Sequence, residues 1–257
     1  MKEPVVVIGI GELGAVFARG LLRRGHPVHP VTRDMDMAAV AAELPQPRLA
    51  LLAVAEKDLH TALRTIPPAW RDRLGLLQNE LLPRDWQAAG IDNPTVISVW
   101  FEKKQGQDAK VLLPSPAFGP QAGLLCAALE GIGIAARELT DDDQLLFELV
   151  RKNVYILTTN IAGLAVGGTV DALWRDHEAL ARAVAQDVID IQESLTGQAL
   201  DRDALIAGML EAFAGDPQHG CKGRSAPERL RRALQQADTA GLAVPTLREL
   251  ARAHLSA

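Results

Sequence analysis

Gly9, Gly11 and Gly14 stand at GxGxxG spacing inside VVVIGIGELG, the stretch from Val5 to Gly14. The chemistry this spacing permits is binding of a dinucleotide diphosphate. The first glycine allows a tight strand-to-helix turn, the second lets backbone approach a pyrophosphate, and the third lets helix and strand pack closely. A helix N-terminus adds free N–H groups and a partial positive charge. The candidate cofactor cradle is therefore Gly9, Ile10, Gly11, Glu12, Leu13 and Gly14. GxGxxG alone is weak; its specificity rises when a strand precedes it and a helix follows. Glu12 argues the other way, since a carboxylate repels a diphosphate unless it points outward. The competing interpretation is a glycine-rich turn that binds nothing.

The end of the second expected strand sorts the coenzymes. An acid there accepts from a ribose 2′-OH, whereas a nearby arginine accommodates a 2′-phosphate. Thr32 and Arg33 stand at that place, with Asp34 just beyond. Arg33 offers a fork to phosphate oxygens and Thr32 a hydroxyl. NADP(H) is expected, with NAD(H) the alternative if Arg33 is a solvated loop residue and Asp34 holds the ribose.

Further along, Lys152 opens an uncharged apolar run. A lysine serves as proton donor when desolvation or a neighbouring cation lowers its pKa. On a helical wheel Thr159 and Gly163 share its face, with Asn160 beside them. That stripe holds a cation, a hydroxyl and an amide. The bland alternative pairs Lys152 with Glu148 on a solvated turn. Lys222 and Arg224 could receive an anionic substrate. Asp216, His219 and Cys221 show no fourth ligand, so no metal site is expected.

These residues need elements to position them. Val5–Ile8 reads as a strand and Ala15–Arg24 as a helix. Strands are then expected over Pro27–Thr32, Arg48–Val54, Leu74–Gln78, Thr95–Trp100, Lys110–Leu113 and Ile134–Glu138. Helices are expected over Met35–Leu44, Asp58–Ile66 and Gln121–Gly131. This alternation calls for a parallel sheet with helices on both faces. From Thr140 the character turns wholly helical. Thr140 is the expected cap, with Asp143 at the capping-box position. Helices follow over Asp141–Val166, His177–Leu195, Asp203–Phe213, Pro227–Ala240 and Leu247–Leu255. The fold class is α/β, an N-terminal Rossmann-type parallel sheet followed by an all-helical domain. Residues 1–139 would bind the nucleotide; residues 140–257 would serve substrate and dimerisation.

The 257 residues carry a net charge of −5 and are 48% hydrophobic, which suits a globular core and gives no reason to expect nucleic acid. The two cysteines lack CxxC spacing, and the first strand leaves no room for a signal peptide, so a reducing cytoplasm is expected. Asn153–Val170 is uncharged and long enough to suggest a membrane span, but its asparagines, threonines and glycines favour a buried helix.

The loop GIGELG, the Arg33 position, LLQNE at 76–80, the helix carrying Lys152 and Asn160, and the ending GLAVPTLREL together resemble ketopantoate reductase and its relatives. The resemblance implies catalysis between a Rossmann domain and a helical domain. A helix lysine, here Lys152, would protonate a carbonyl oxygen as hydride arrives from NADPH. The asparagine of a Gln-Asn-Gly turn, here Asn79, would lie near nicotinamide and substrate; Glu80 stands in place of that glycine. Asn160 matches an outer helix asparagine, while Ile156 replaces the inner one. Ser225 and Glu228 are the nearest matches to a substrate-holding serine and glutamate, although Ser225-Ala-Pro-Glu228 also reads as a helix start and Glu228 precedes a solvated arginine face. The departures bear on substrate more than on cofactor. A homodimer follows from the same resemblance. The expected function is an NADP-dependent reductase of a small, anionic 2-oxo compound, which sequence does not separate from a hydroxy-acid dehydrogenase or an imine reductase. The other class is a family member that binds NADP(H) without turnover, as a redox sensor or interaction module.

Overall fold

A computed structural model describes residues 2–255. The chain divides into two compact units, the first ending at Leu149 and the second beginning at Val150.

In the first unit the chain runs β1 (Val5–Ile8), α1 (Glu12–Arg23), β2 (Val28–Val31), α2 (Met37–Glu43) and β3 (Leu49–Leu52). A 3-10 turn at Glu56–Asp58 leads to α3 (Leu59–Thr65), and another at Pro68–Arg73 leads to β4 (Leu74–Leu76). Then come α4 (Pro83–Gln87), β5 (Thr95–Ile97), β6 (Phe101–Glu102), β7 (Lys110–Val111), β8 (Ser115–Phe118), α5 (Ala122–Glu130) and β9 (Ala136–Glu138). The division between the units falls inside α6 (Asp142–Val166).

Seven strands form one sheet in the order β2-β1-β3-β4-β5-β8-β9. Val5 pairs in parallel with Val28 on one side and Leu49 on the other. The chain thus moves from β1 outward to β2, then crosses back past β1 to β3. That reversal leaves a crevice outside the carboxyl ends of β1 and β3, the position where open α/β sheets bind ligands. Both strands are buried along their whole length, as their unbroken apolar runs require. α1 lies close on α5 because Gly20 has no side chain: a Cβ there would come 2.3 Å from the Ala128 carbonyl oxygen.

The sheet is mostly parallel rather than wholly so. β8 pairs antiparallel with β5, Val96 opposite Phe118 and Ile97 opposite Ala117. No strand was expected over 115–118, because SPAF has no β-branched residue and a proline at its centre. Its neighbours impose it: Ser98 N–H donates to the Pro116 carbonyl and Ser115 N–H to that of Ala135. The Lys110–Leu113 strand shrinks to β7, which pairs with β6 in a separate hairpin. Phe101 of that hairpin sits on Phe17 of α1, ring centroids 6.3 Å apart.

At the start of α6 the cap is Asp141, not Thr140. Asp141 Oδ1 accepts the Gln144 N–H at 2.8 Å, and Gln144 rather than Asp143 reaches back to Thr140. The Gln144 N–H and then the Thr140 hydroxyl hold the Asp141 carboxyl below its usual range.

The second unit holds the remainder of α6, then α7 (Val170–Thr196), α8 (Arg202–Gly215), α9 (Ala226–Ala240) and α10 (Pro245–His254). α7 starts well before His177. The Thr169 hydroxyl caps it by accepting the Ala172 N–H, and His177 (φ −139°, ψ 34°) marks a kink inside it. Arg151, buried on α6, donates to the Gly208 carbonyl of α8 at 3.0 Å, a contact for which Gly208 leaves room. Val154, Leu157 and Ile161 bury the uncharged run inside this unit. Among the described residues no helix is long and apolar enough to cross a membrane.

Candidate functional site

The glycine loop joins β1 to α1 at the crevice. Gly9 has φ +94°, a conformation L residues rarely adopt, and a Cβ on it would lie 2.7 Å from the Ala53 carbonyl oxygen beyond β3. A Cβ on Gly14 would lie 2.0 Å from the Gly9 carbonyl oxygen. The fold itself requires both. Gly11 is different: its φ of −79° suits any residue, and a Cβ there would meet nothing within 4 Å. At the cap position it also offers α1 no side-chain acceptor for the first N–H groups. Ile10 is exposed beside it and Leu13 packs toward the core. Glu12 opens α1, and its carboxylate lies 3.2 Å from Lys103 Nζ.

Thr32 and Arg33 follow β2 and are exposed, as is Asp34. The Arg33 guanidinium, 89% exposed, lies 3.7 Å from Asp58 in the turn after β3. At the end of β4, Gln78 ties two strand ends together by donating to the Leu52 carbonyl at 2.7 Å. Asn79 is half-buried, and its amide donates to Glu56 Oε1 at 2.9 Å. Glu80 takes φ +59°, the conformation glycine favours, at a cost of roughly 1–2 kcal/mol for a residue with a Cβ.

In the second unit, Lys152 is half-buried on α6. The buried Thr159 hydroxyl donates to the Tyr155 carbonyl at 2.8 Å. Asn160 Oδ1 accepts from Arg229 Nη1 at 3.0 Å, both side chains being buried. The loop before α9 lies directly on this stripe. A Cβ on Gly163 would come 2.8 Å from Cys221 Cβ, and one on Gly223 would come 2.9 Å from Asn160 Oδ1. Asn160, Gly223 and Arg229 are therefore brought together. Lys222, Arg224 and Ser225 are exposed, and Ser225 makes no capping bond. Glu228 lies on the exposed face of α9 and pairs with Arg231 at 2.5 Å. Glu148 Oε1 accepts from Arg137 at 2.5 Å.

Arg229 corrects an expectation. It does not share the solvated face with Arg231, because it stands three residues after Ala226 and four before Ala233, in the buried row Ala226, Arg229, Leu230, Ala233 and Ala237. That spacing was visible in sequence. The partners Lys103, Asp58 and Glu56 had no such signal, since each reaches its partner across a turn or a hairpin.

His219 Nδ1 lies 3.6 Å from Asp216, and burial pushes the Cys221 thiol up to about 11, away from thiolate chemistry. Among the described residues no three His, Cys, Asp or Glu side chains group as metal ligands do. A groove lined by Arg137, Leu139, Gln144 and Phe147 lies by β9, at the sheet edge opposite β2, and its cation is engaged by Glu148. It is not the crevice at β1 and β3.

No sequence-family model matches this chain, and no curated protein matches it by sequence. Solved structures do match over nearly its full length. A PanE/ApbA family ketopantoate reductase from Ralstonia eutropha is 16% identical with a TM-score of 0.67, covering 98% of this chain and 97% of its own. A dimeric ketopantoate reductase from Staphylococcus aureus is 12% identical with a TM-score of 0.66, covering 98% of each chain. D-Mandelate dehydrogenase in a ternary structure with NADH and anilino(oxo)acetate is 13% identical with a TM-score of 0.66, covering 96% of each chain. At these identities the likeness is one of fold: a mostly parallel Rossmann-like sheet followed by an all-helical region, as in the ketopantoate reductases.

Proposed function

We propose that this chain is an NADP-dependent oxidoreductase that reduces a small anionic 2-oxo compound by hydride transfer, accepting NAD(H) less well. Gly11 carries the proposal. It is the glycine of the loop that the folded chain does not need, and close approach of a diphosphate to backbone accounts for it. The residues present fit such a group: open space over Gly11, uncapped N–H groups at α1, and an exposed arginine after β2.

Residues 1–139 would hold the coenzyme and residues 140–257 the substrate. The nicotinamide, when bound, supplies the hydride. Lys152 would give a proton to the carbonyl oxygen, and Asn79, fixed by Glu56, would border the reacting groups. The Asn160 amide nitrogen is 3.5 Å from Thr159 Oγ1, which leaves it N–H capacity for a ligand. Thr159, Ser225 and Glu228 complete the proposed substrate set, although Thr159 is turned to its own helix and Glu228 to Arg231. The fold relatives named for 2-oxo acid reduction or for NADH support the substrate class, and the dimeric relative supports a homodimer through the helical unit. Two buried free cysteines fit a reducing cytoplasm.

A second interpretation, coenzyme binding without turnover, is favoured by Glu56, which already occupies the Asn79 amide. One experiment addresses both. NADPH and NADH are titrated calorimetrically into the wild type and Gly11→Ala, and a panel of 2-oxo acids is tested for NADPH oxidation. Gly11→Ala should melt where the wild type does yet bind about tenfold more weakly, a loss of about 1.4 kcal/mol. Absence of binding to the wild type sinks the proposal. Binding with no oxidation across the panel selects the second interpretation.

A further inference from the structure

Glu12 of the glycine loop faces a lysine that follows β6. We infer that Lys103 neutralises Glu12, and that this ion pair is what lets the loop accept a diphosphate. The inference rests on the coenzyme site proposed above.

The geometry is specific to one lysine of two. Phe101, two residues before Lys103, is buried against Phe17 of α1, so the hairpin is fastened to the helix that the loop opens. Lys103 Nζ lies 3.2 Å from Glu12 Oε2 and donates to the Lys104 carbonyl at 2.8 Å. Its side chain is only 21% exposed. The adjacent Lys104 is 61% exposed and pairs instead with Glu102 at 3.1 Å. Lys103 is thus held in place from both sides, whereas its neighbour lies in solvent.

Glu12 stands at the first position of α1, where its N–H belongs to the groups a diphosphate would engage. An unpaired carboxylate at roughly 6 Å from a doubly charged diphosphate repels it enough to weaken binding about tenfold, even at the dielectric of water. Pairing with Lys103 cancels that field before the ligand arrives. Because the diphosphate is common to both coenzymes, the effect is blind to the 2′-phosphate.

The test is calorimetric titration of NADH and NADPH into the wild type, Lys103→Met, Glu12→Gln and the double variant, with melting midpoints recorded for each. Lys103→Met should weaken both coenzymes by the same factor, about tenfold, and the deficit should shrink as salt screens the exposed carboxylate. Adding Glu12→Gln to Lys103→Met should restore affinity to within about threefold of wild type. Unchanged affinity in Lys103→Met overturns the inference. So does a double variant as weak as Lys103→Met, which would make the lysine a direct phosphate ligand or a fold element. Failure of the wild type to bind either coenzyme removes the coenzyme site itself, a result separable from both.

Discussion

Arg33 and Asp58 oppose each other beyond the carboxyl ends of β2 and β3, and their balance sets what a 2′-phosphate would gain. At 3.7 Å and with both side chains open to solvent, the pair is worth about 0–1 kcal/mol. A phosphate offering two oxygens to the guanidinium fork would displace the single carboxylate. Arg33→Ala should therefore weaken NADPH by about tenfold and leave NADH unchanged. Asp58→Asn should strengthen NADPH by a few-fold, again without effect on NADH. Equal losses for both coenzymes in Arg33→Ala would show that the guanidinium reads no 2′-phosphate. Arg33 was legible from sequence because a strand end fixes where such a residue stands. Asp58 was not, for nothing in the local chain says which turn will face the end of β2. Lys103 beside Glu12 and Arg229 beside Asn160 are the same kind of contact, made by tertiary packing and carried by no spacing rule except the buried row of α9.

Among the elements, α10 depends on a side chain from another helix. Val244 at its cap position has no acceptor and sits at φ +36°, so it cannot satisfy the first turn. Asp187, buried on α7, does so: its Oδ2 accepts the Leu247 N–H at 3.0 Å. Burial pushes the Asp187 carboxyl above its ordinary 3.8, with the Leu247 and Thr246 N–H groups only partly offsetting it. The folded state therefore holds that proton more tightly than the unfolded chain. Its contribution to stability is most favourable below about 3.8 and falls as pH rises through the folded value. Asp187→Asn keeps an acceptor for Leu247 and removes the buried charge, so in urea titrations it should match the wild type in acid and equal or exceed it at pH ~7. Asp187→Ala should cost about 1 kcal/mol in acid, the loss of a cap, and less at pH ~7, where the wild type carries the buried charge. A wild type that gains on Asp187→Asn with rising pH would reverse the sign and refute the account. The apolar runs of β1 and β3 and the periodic helices announced themselves in sequence. β8 and the α10 cap did not, because neighbouring elements rather than local propensity create them.

For the molecule as a whole, the order of a Rossmann-like sheet followed by helices was readable from the change of period near Thr140, and the compact units divide a little later, inside α6. Every residue proposed for the coenzyme lies before Leu149, and every residue proposed for the substrate other than Asn79 lies after it. That separation makes the role of Lys152 testable without knowing the natural substrate. A proton donor contributes roughly 100- to 10,000-fold to rate. Lys152→Ala should lower kcat by that order while NADPH affinity stays within about twofold. Lys152→Arg retains the charge, but a guanidinium does not release its proton near neutrality. It should hold KM for an anionic 2-oxo acid close to wild type and still lose kcat. If Lys152→Arg recovers turnover, the lysine acts through charge alone and proton transfer belongs to another group. If Lys152→Ala weakens NADPH as much as it slows turnover, the division of labour between sheet and helices fails, because a residue of the helical unit would then be holding the coenzyme.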